Sequence, residues 1–111
     1  MSVPEDIAVL DRVYAVIEGR RNADPDVSYV ARLFHKGTRK IAQKFGEEAV
    51  ETVIAAMTRK PKDVVTESAD VMFHLLVLWA DCGVKPQEVW AELARREGES
   101  GIGEKKKRMI G

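Results

Sequence analysis

The sequence predicts an all-α fold, an antiparallel bundle of helices that a second copy of the chain would complete. Apolar residues recur at three- and four-residue steps along most of the chain, the period of one helix face. Gly37, Pro61, Gly83 and Pro86 punctuate those runs, and no segment shows the two-residue alternation of a half-buried strand. At 111 residues the chain is one domain, small enough to gain stability from a partner subunit. No internal repeat is present.

Over 6–20, Ile7, Leu10, Val13, Tyr14 and Ile17 form one apolar stripe, and the run from Gly19 through Arg20, Arg21 and Asn22 to Pro25 closes this first helix. Ser28 is placed to cap a short segment over 29–36, and Gly37 to stop it. Thr38 then caps a long helix over 39–59, in which Ile41, Phe45, Val53, Ile54 and Met57 face inward and Pro61 is the stop. The helix over 62–82 has Val65, Ala69, Met72, Leu76 and Trp79 in one row and Val64, Val71, Leu75 and Leu78 beside it. It is apolar around most of its circumference, more than one hairpin can cover, which is the reason for expecting a homodimer. Gly83 ends it, Pro86 opens a last helix, and Val89, Trp90 and Leu93 give that helix a narrow inward face. Residues 1–97 are expected to form the folded domain and residues 98–111, with Lys105, Lys106, Lys107 and Arg108, a flexible basic tail.

Eighteen basic residues balance eighteen acidic ones, which disfavours a general nucleic-acid binder. The longest apolar stretch, 71–80, is broken by His74 and is half of the ~20 residues a bilayer span needs. The acidic start of the chain lacks the features of a secretory signal, and a single cysteine has no partner for an internal disulfide, so a cytoplasmic setting is expected. Cys82 itself reads as an inert buried thiol, and Trp79 and Trp90 as packing anchors.

Chemistry concentrates in two acid-x-x-acid units. Glu48 and Glu51 stand one turn apart on the third helix, and Glu67 and Asp70 one turn apart on the fourth. The short turn at Pro61 makes those helices antiparallel neighbours, so four carboxylates are expected to converge, which repulsion forbids unless cations or protons neutralise them. Single acidic pairs on helices ordinarily make weak surface ion pairs. Two matched pairs, the second on a polar stripe with His74 along an otherwise apolar helix, point instead to a metal. All-oxygen ligands select Mg²⁺, with Mn²⁺ as a substitute, over zinc. Lys40 and Lys44 lie at helical spacing from Glu47 and Glu51, with Lys36 and Arg39 just upstream, a pattern suited to phosphate oxygens and equally to helix ion pairing. His74 is a phosphate donor, a residue that orients a metal ligand, or a hydrogen-bonded core residue, and His35 favours the end of its helix.

The segments Ser28-Tyr29-Val30-Ala31-Arg32-Leu33, Lys40-Ile41-Ala42-Gln43-Lys44-Phe45-Gly46-Glu47-Glu48-Ala49-Val50-Glu51 and Glu67-Ser68-Ala69-Asp70-Val71-Met72-Phe73-His74-Leu75-Leu76, with Gly37 between the first two, resemble the phosphoribosyl-ATP pyrophosphohydrolase family. The bare acidic motif is shared by the wider MazG-like and dimeric dUTPase group, and the stretch 40–51 discriminates within it. Phe73 stands where the family often has tyrosine, and Phe45 where a small branched residue is common. Neither change removes a proposed ligand. The resemblance implies a MazG-like helical dimer that hydrolyses phosphoribosyl-ATP to phosphoribosyl-AMP and pyrophosphate in histidine biosynthesis, with a separate cyclohydrolase taking the product. It further implies Glu48, Glu51, Glu67 and Asp70 as Mg²⁺ ligands for in-line water attack on the α-phosphorus, Glu47 as proton acceptor or additional ligand, and Lys36, Arg39, Lys40, Lys44 and His74 on the substrate. The rival readings are a house-cleaning nucleoside triphosphate pyrophosphohydrolase with the same metal site, and a non-catalytic helical dimerisation module.

Overall fold

A computed structural model of the chain describes residues 6–99 together with Arg108, and five helices make up its fold: α1 (Ala8–Gly19), α2 (Tyr29–Lys36), α3 (Thr38–Met57), α4 (Pro61–Cys82) and α5 (Pro86–Arg96). The expected all-α class holds. The expectations for the first five residues and for the basic cluster at 105–107 lie outside the described residues.

Each boundary has a local cause. Asp6 Oδ1 accepts the Ala8 N–H at 2.9 Å, satisfying one of the donors a helix start leaves unpaired. Ser28 Oγ accepts the Ala31 N–H at 3.1 Å, the expected cap of α2. Gly37, at φ 94° and ψ 176°, ends α2 and starts α3 at once, a conformation nearly restricted to glycine. It takes the capping position expected of Thr38. Thr38 is instead the first residue of α3, and its hydroxyl donates to Asp81 Oδ2 at 2.6 Å, fastening the start of α3 to the end of α4.

Nor does Pro61 stop α3. That helix ends at Met57, Arg59 turns left-handed at φ 56°, and Pro61 opens α4, where its missing N–H costs nothing. Gly83, left-handed at φ 73°, closes α4 as expected, with the Val84 N–H donating to Trp79 O at 2.8 Å. Pro86 occupies the first turn of α5, and the Glu88 carboxylate accepts the Lys85 N–H at 3.1 Å.

α3 and α4 pack along each other as the central pair, with α1 against α4 and α2 against α3. The core gathers Ile17 of α1, Val30 and Leu33 of α2, Ile41 of α3, and Leu76, Val77 and Ala80 of α4. It therefore lies at one end of the hairpin, around the beginning of α3 and the end of α4. The Tyr14 hydroxyl donates to Val84 O at 3.0 Å, and Trp79 meets Trp90 edge-on at 5.8 Å, so α1 and α5 close over this end and the tryptophans serve as the expected anchors.

The other end of the hairpin is bare. Val53, Ile54 and Met57, expected to face inward, are 61%, 51% and 77% exposed: α4 covers one side of the second half of α3, where Ala55 is buried, and these side chains stand off that side. Val50 and Val65 are exposed beside them. Cys82 also departs from expectation: as the last residue of α4 it points away from the core that Trp79 and Ala80 enter, and it is exposed.

Candidate metal and phosphate site

The boundary between the packed end and the bare end is where the acids meet. Glu48 of α3 and Glu67 and Asp70 of α4 each offer a carboxylate oxygen, and these oxygens lie within 4.8 Å of one another. All three are half-buried. Glu67 carries the electrostatic signature of the crowding: desolvation first, then the charges of Asp70, Glu48, Glu51 and Asp63, hold its carboxyl above the ordinary range. No lysine or arginine is ion-paired to Glu48, Glu67 or Asp70 among the described residues. Three oxygen ligands that no described lysine or arginine pairs with fit a hard divalent ion.

Glu51, expected as the fourth ligand, lies on the next turn of α3 outside this triad, exposed but close enough to act on Glu67 electrostatically. Glu47, next to Glu48 on α3, is exposed and outside the triad. Its Oε1 accepts from Gln43 Nε2 at 2.9 Å and its Oε2 lies 4.0 Å from Lys44 Nζ. The Gln43 hydrogen bond, with the charges of Lys44 and Lys40, outweighs desolvation and lowers its carboxyl below the ordinary range. Glu47 is thus anionic at neutral pH. Lys40 and Lys44 are half-buried on α3, whereas Lys36 and Arg39 stand exposed at the α2–α3 junction, and Lys36, Arg39 and Lys40 make no ion pair among the described residues.

His74 is buried, one turn beyond Asp70, with both ring nitrogens engaged. Nδ1 lies 2.7 Å from Asp70 O and Nε2 lies 2.8 Å from the Tyr29 hydroxyl. A carbonyl only accepts, so Nδ1 carries the proton, and in the neutral ring Nε2 accepts from the phenol. The Tyr29 and Phe73 rings flank the imidazole edge-on at 5.8 and 5.4 Å. Of the readings of His74, the ring geometry matches the hydrogen-bonded core residue. What faces outward is Tyr29, 44% exposed, which sequence reasoning passed over because its partner lies 45 positions away and no spacing rule links them. Burial raises the Tyr29 phenol above its ordinary value, with Lys44 opposing and Glu48, Asp70 and Glu47 adding to the rise. A groove of about 420 Å³ between α1 and α4, lined by Leu10, Val13, Met72, Phe73 and Leu76, has Asp70 at its edge.

Fold and site together define an all-α protein whose central helix pair presents a carboxylate cluster able to hold a metal, with lysines a turn away. Comparison with known proteins narrows the class. The family model described as phosphoribosyl-ATP pyrophosphohydrolase matches residues 10–97. The chain belongs to that family. It is 62% identical over 104 residues to a phosphoribosyl-ATP pyrophosphatase of Paramagnetospirillum magneticum, covering 94% of this chain and 95% of that one. Proteins of the same name from Azospirillum brasilense (59% over 101 residues, 91% of each chain) and Rhodospirillum rubrum (57% over 105 residues, 95% of this chain and 90% of that one) are similar to it as well.

Proposed function

We propose that this chain is an enzyme that hydrolyses phosphoribosyl-ATP to phosphoribosyl-AMP and pyrophosphate, the second step of histidine biosynthesis, in the cytoplasm. The observation that carries the reading is the Glu48, Glu67 and Asp70 triad in a chain of this family, gathered from two helices with no lysine or arginine ion-paired to it among the described residues. Those three residues, with Glu51 one turn away, would hold Mg²⁺, for which Mn²⁺ could substitute. When bound, the ion supplies positive charge to phosphate oxygens and so favours in-line attack by water at the α-phosphorus.

The chain's own residues divide the remaining work. Glu47, ionised and oriented by Gln43, accepts the attacking water's proton or adds a further ligand. Lys40 and Lys44 neutralise charge on the pyrophosphate as it leaves, and Lys36 and Arg39 extend the basic rim toward the rest of the substrate. His74 serves the substrate through Tyr29, its nitrogens being committed. The exposed apolar end of the α3–α4 hairpin is the surface on which a second copy packs, bringing two sites to one junction. In this reading residues 1–97 are the catalytic unit, residues 98–111 are a basic tail, and a separate cyclohydrolase consumes the product.

The test is pyrophosphate release from phosphoribosyl-ATP and from a panel of ordinary and damaged nucleoside triphosphates, each with Mg²⁺ and with chelator. Chelator-sensitive turnover confined to phosphoribosyl-ATP is the expected result. Turnover of the panel instead would move the protein to nucleotide housekeeping, and inertness toward every compound would leave the dimerisation module.

A further inference from the structure

The antiparallel register of α3 and α4 fixes which residues share a level. Glu48 stands opposite Glu67 and Asp70. One turn back along α3 is Lys44, and one turn forward along α4 from Asp70 is His74, so Lys44 and His74 lie at the same height on facing helices. Tyr29, at the start of α2, is bonded to His74 at that height, with its ring edge-on to the imidazole and its outer part exposed. The proton inventory then limits what the phenol offers outward. With the ring neutral and its proton on Nδ1, the phenol hydrogen goes to His74 Nε2, and toward the site the phenol oxygen then presents only lone pairs. Such an oxygen repels phosphate and attracts a donor. Lys44 is the cation at this level, and its contact to Glu47 is long at 4.0 Å, which leaves its donors largely uncommitted.

We propose that Tyr29, held by His74, is a positioning residue for Lys44: in the substrate complex its phenol oxygen accepts from the Lys44 ammonium and keeps that charge one turn from the carboxylate triad, where it meets the phosphate chain of the substrate. The inference rests on the reading of the site as a pyrophosphate-releasing centre. It gives the His74–Tyr29 pair a purpose beyond packing α2 onto α4. Without an acceptor on that side, the long lysine chain samples many rotamers, and ordering it must come at the expense of substrate affinity.

The test uses the full chain in Mg²⁺ and two readouts: calorimetric binding of inorganic pyrophosphate, and KM for phosphoribosyl-ATP. Tyr29→Phe keeps the ring and removes only the oxygen. It is expected to weaken pyrophosphate binding and raise KM by about tenfold, the loss typical of one charge-assisted hydrogen bond. Lys44→Gln should do the same, and the double variant should be no weaker than Lys44→Gln alone. His74→Leu should reproduce Tyr29→Phe, and His74→Gln, whose amide oxygen can accept from the phenol, should restore affinity. This histidine pair carries the test should Tyr29→Phe fail to fold. Pyrophosphate affinity unchanged in Tyr29→Phe but weakened in Lys44→Gln, or losses that multiply in the double variant, would overturn the positioning role and leave the proposed function standing. A wild-type protein that neither binds pyrophosphate nor turns over phosphoribosyl-ATP would remove both together.

Discussion

At Glu67, burial and four neighbouring acids raise the carboxyl above its ordinary 4.5, so the folded chain binds a proton there more readily than the unfolded one. The sign follows. Glu67 weakens the fold at neutral pH, and the penalty fades as pH falls through its raised titration range. Glu67→Gln removes the charge at nearly constant shape. In chelator at neutral pH the variant is expected to melt at a higher temperature than wild type, and the gap should narrow as pH falls toward 4.5. Adding Mg²⁺ should reverse the order, because only the wild-type site gains from the ion, while turnover by the variant drops by about 100-fold or more. Thermal melts across pH, with and without Mg²⁺, check both halves. A variant less stable than wild type in chelator would mean that the acids are not straining the fold. Glu92 is the contrasting case: hydrogen bonds from Arg95 and Arg96 lower its carboxyl to about 2, so the stability it adds is present at neutral pH and lost between 4.5 and that value.

Among the elements, the junction between α2 and α3 depends on Gly37. A Cβ there would meet no atom within 4 Å, so the demand is purely conformational. Gly37→Ala should cost about 1–3 kcal/mol, the usual penalty for a side chain in that region of φ and ψ, read as a lower urea midpoint with unchanged slope. Boundaries of this kind were legible in the sequence: Ser28, Gly37, Gly83 and Pro86 act as their residue types dictate. The end of α3 was not, because its terminator is Arg59 in a left-handed conformation that arginine does not advertise. The pairing of acids across α3 and α4 was legible too, since helical period and a short turn determine it. That Glu51 stands off the triad depends on how the two helices are rotated about their axes, and the Tyr29–His74 contact depends on where α2 docks. Neither is a property of local sequence.

For the molecule as a whole, the packed end and the bare end make different claims on stability. Apolar periodicity announced that the second half of α3 would be covered, but could not say whether by the same chain or another. Val53 and Met57, 61% and 77% exposed, are the places to ask. The wild-type chain is expected to sediment as a dimer, and the Val53→Asp, Met57→Asp double variant as a monomer, its self-association weakened by about 100-fold or more, as losing two buried apolar side chains implies. A wild-type monomer at micromolar concentration would refute the expectation. The exposed Cys82 lends itself to following this assembly. It closes α4 at the packed end, twelve residues and so about 18 Å along the helix from Asp70, and it is the chain's single thiol. A fluorophore or spin label attached there would report the separation of two subunits in solution from a place that neither the carboxylates nor the bare face occupies.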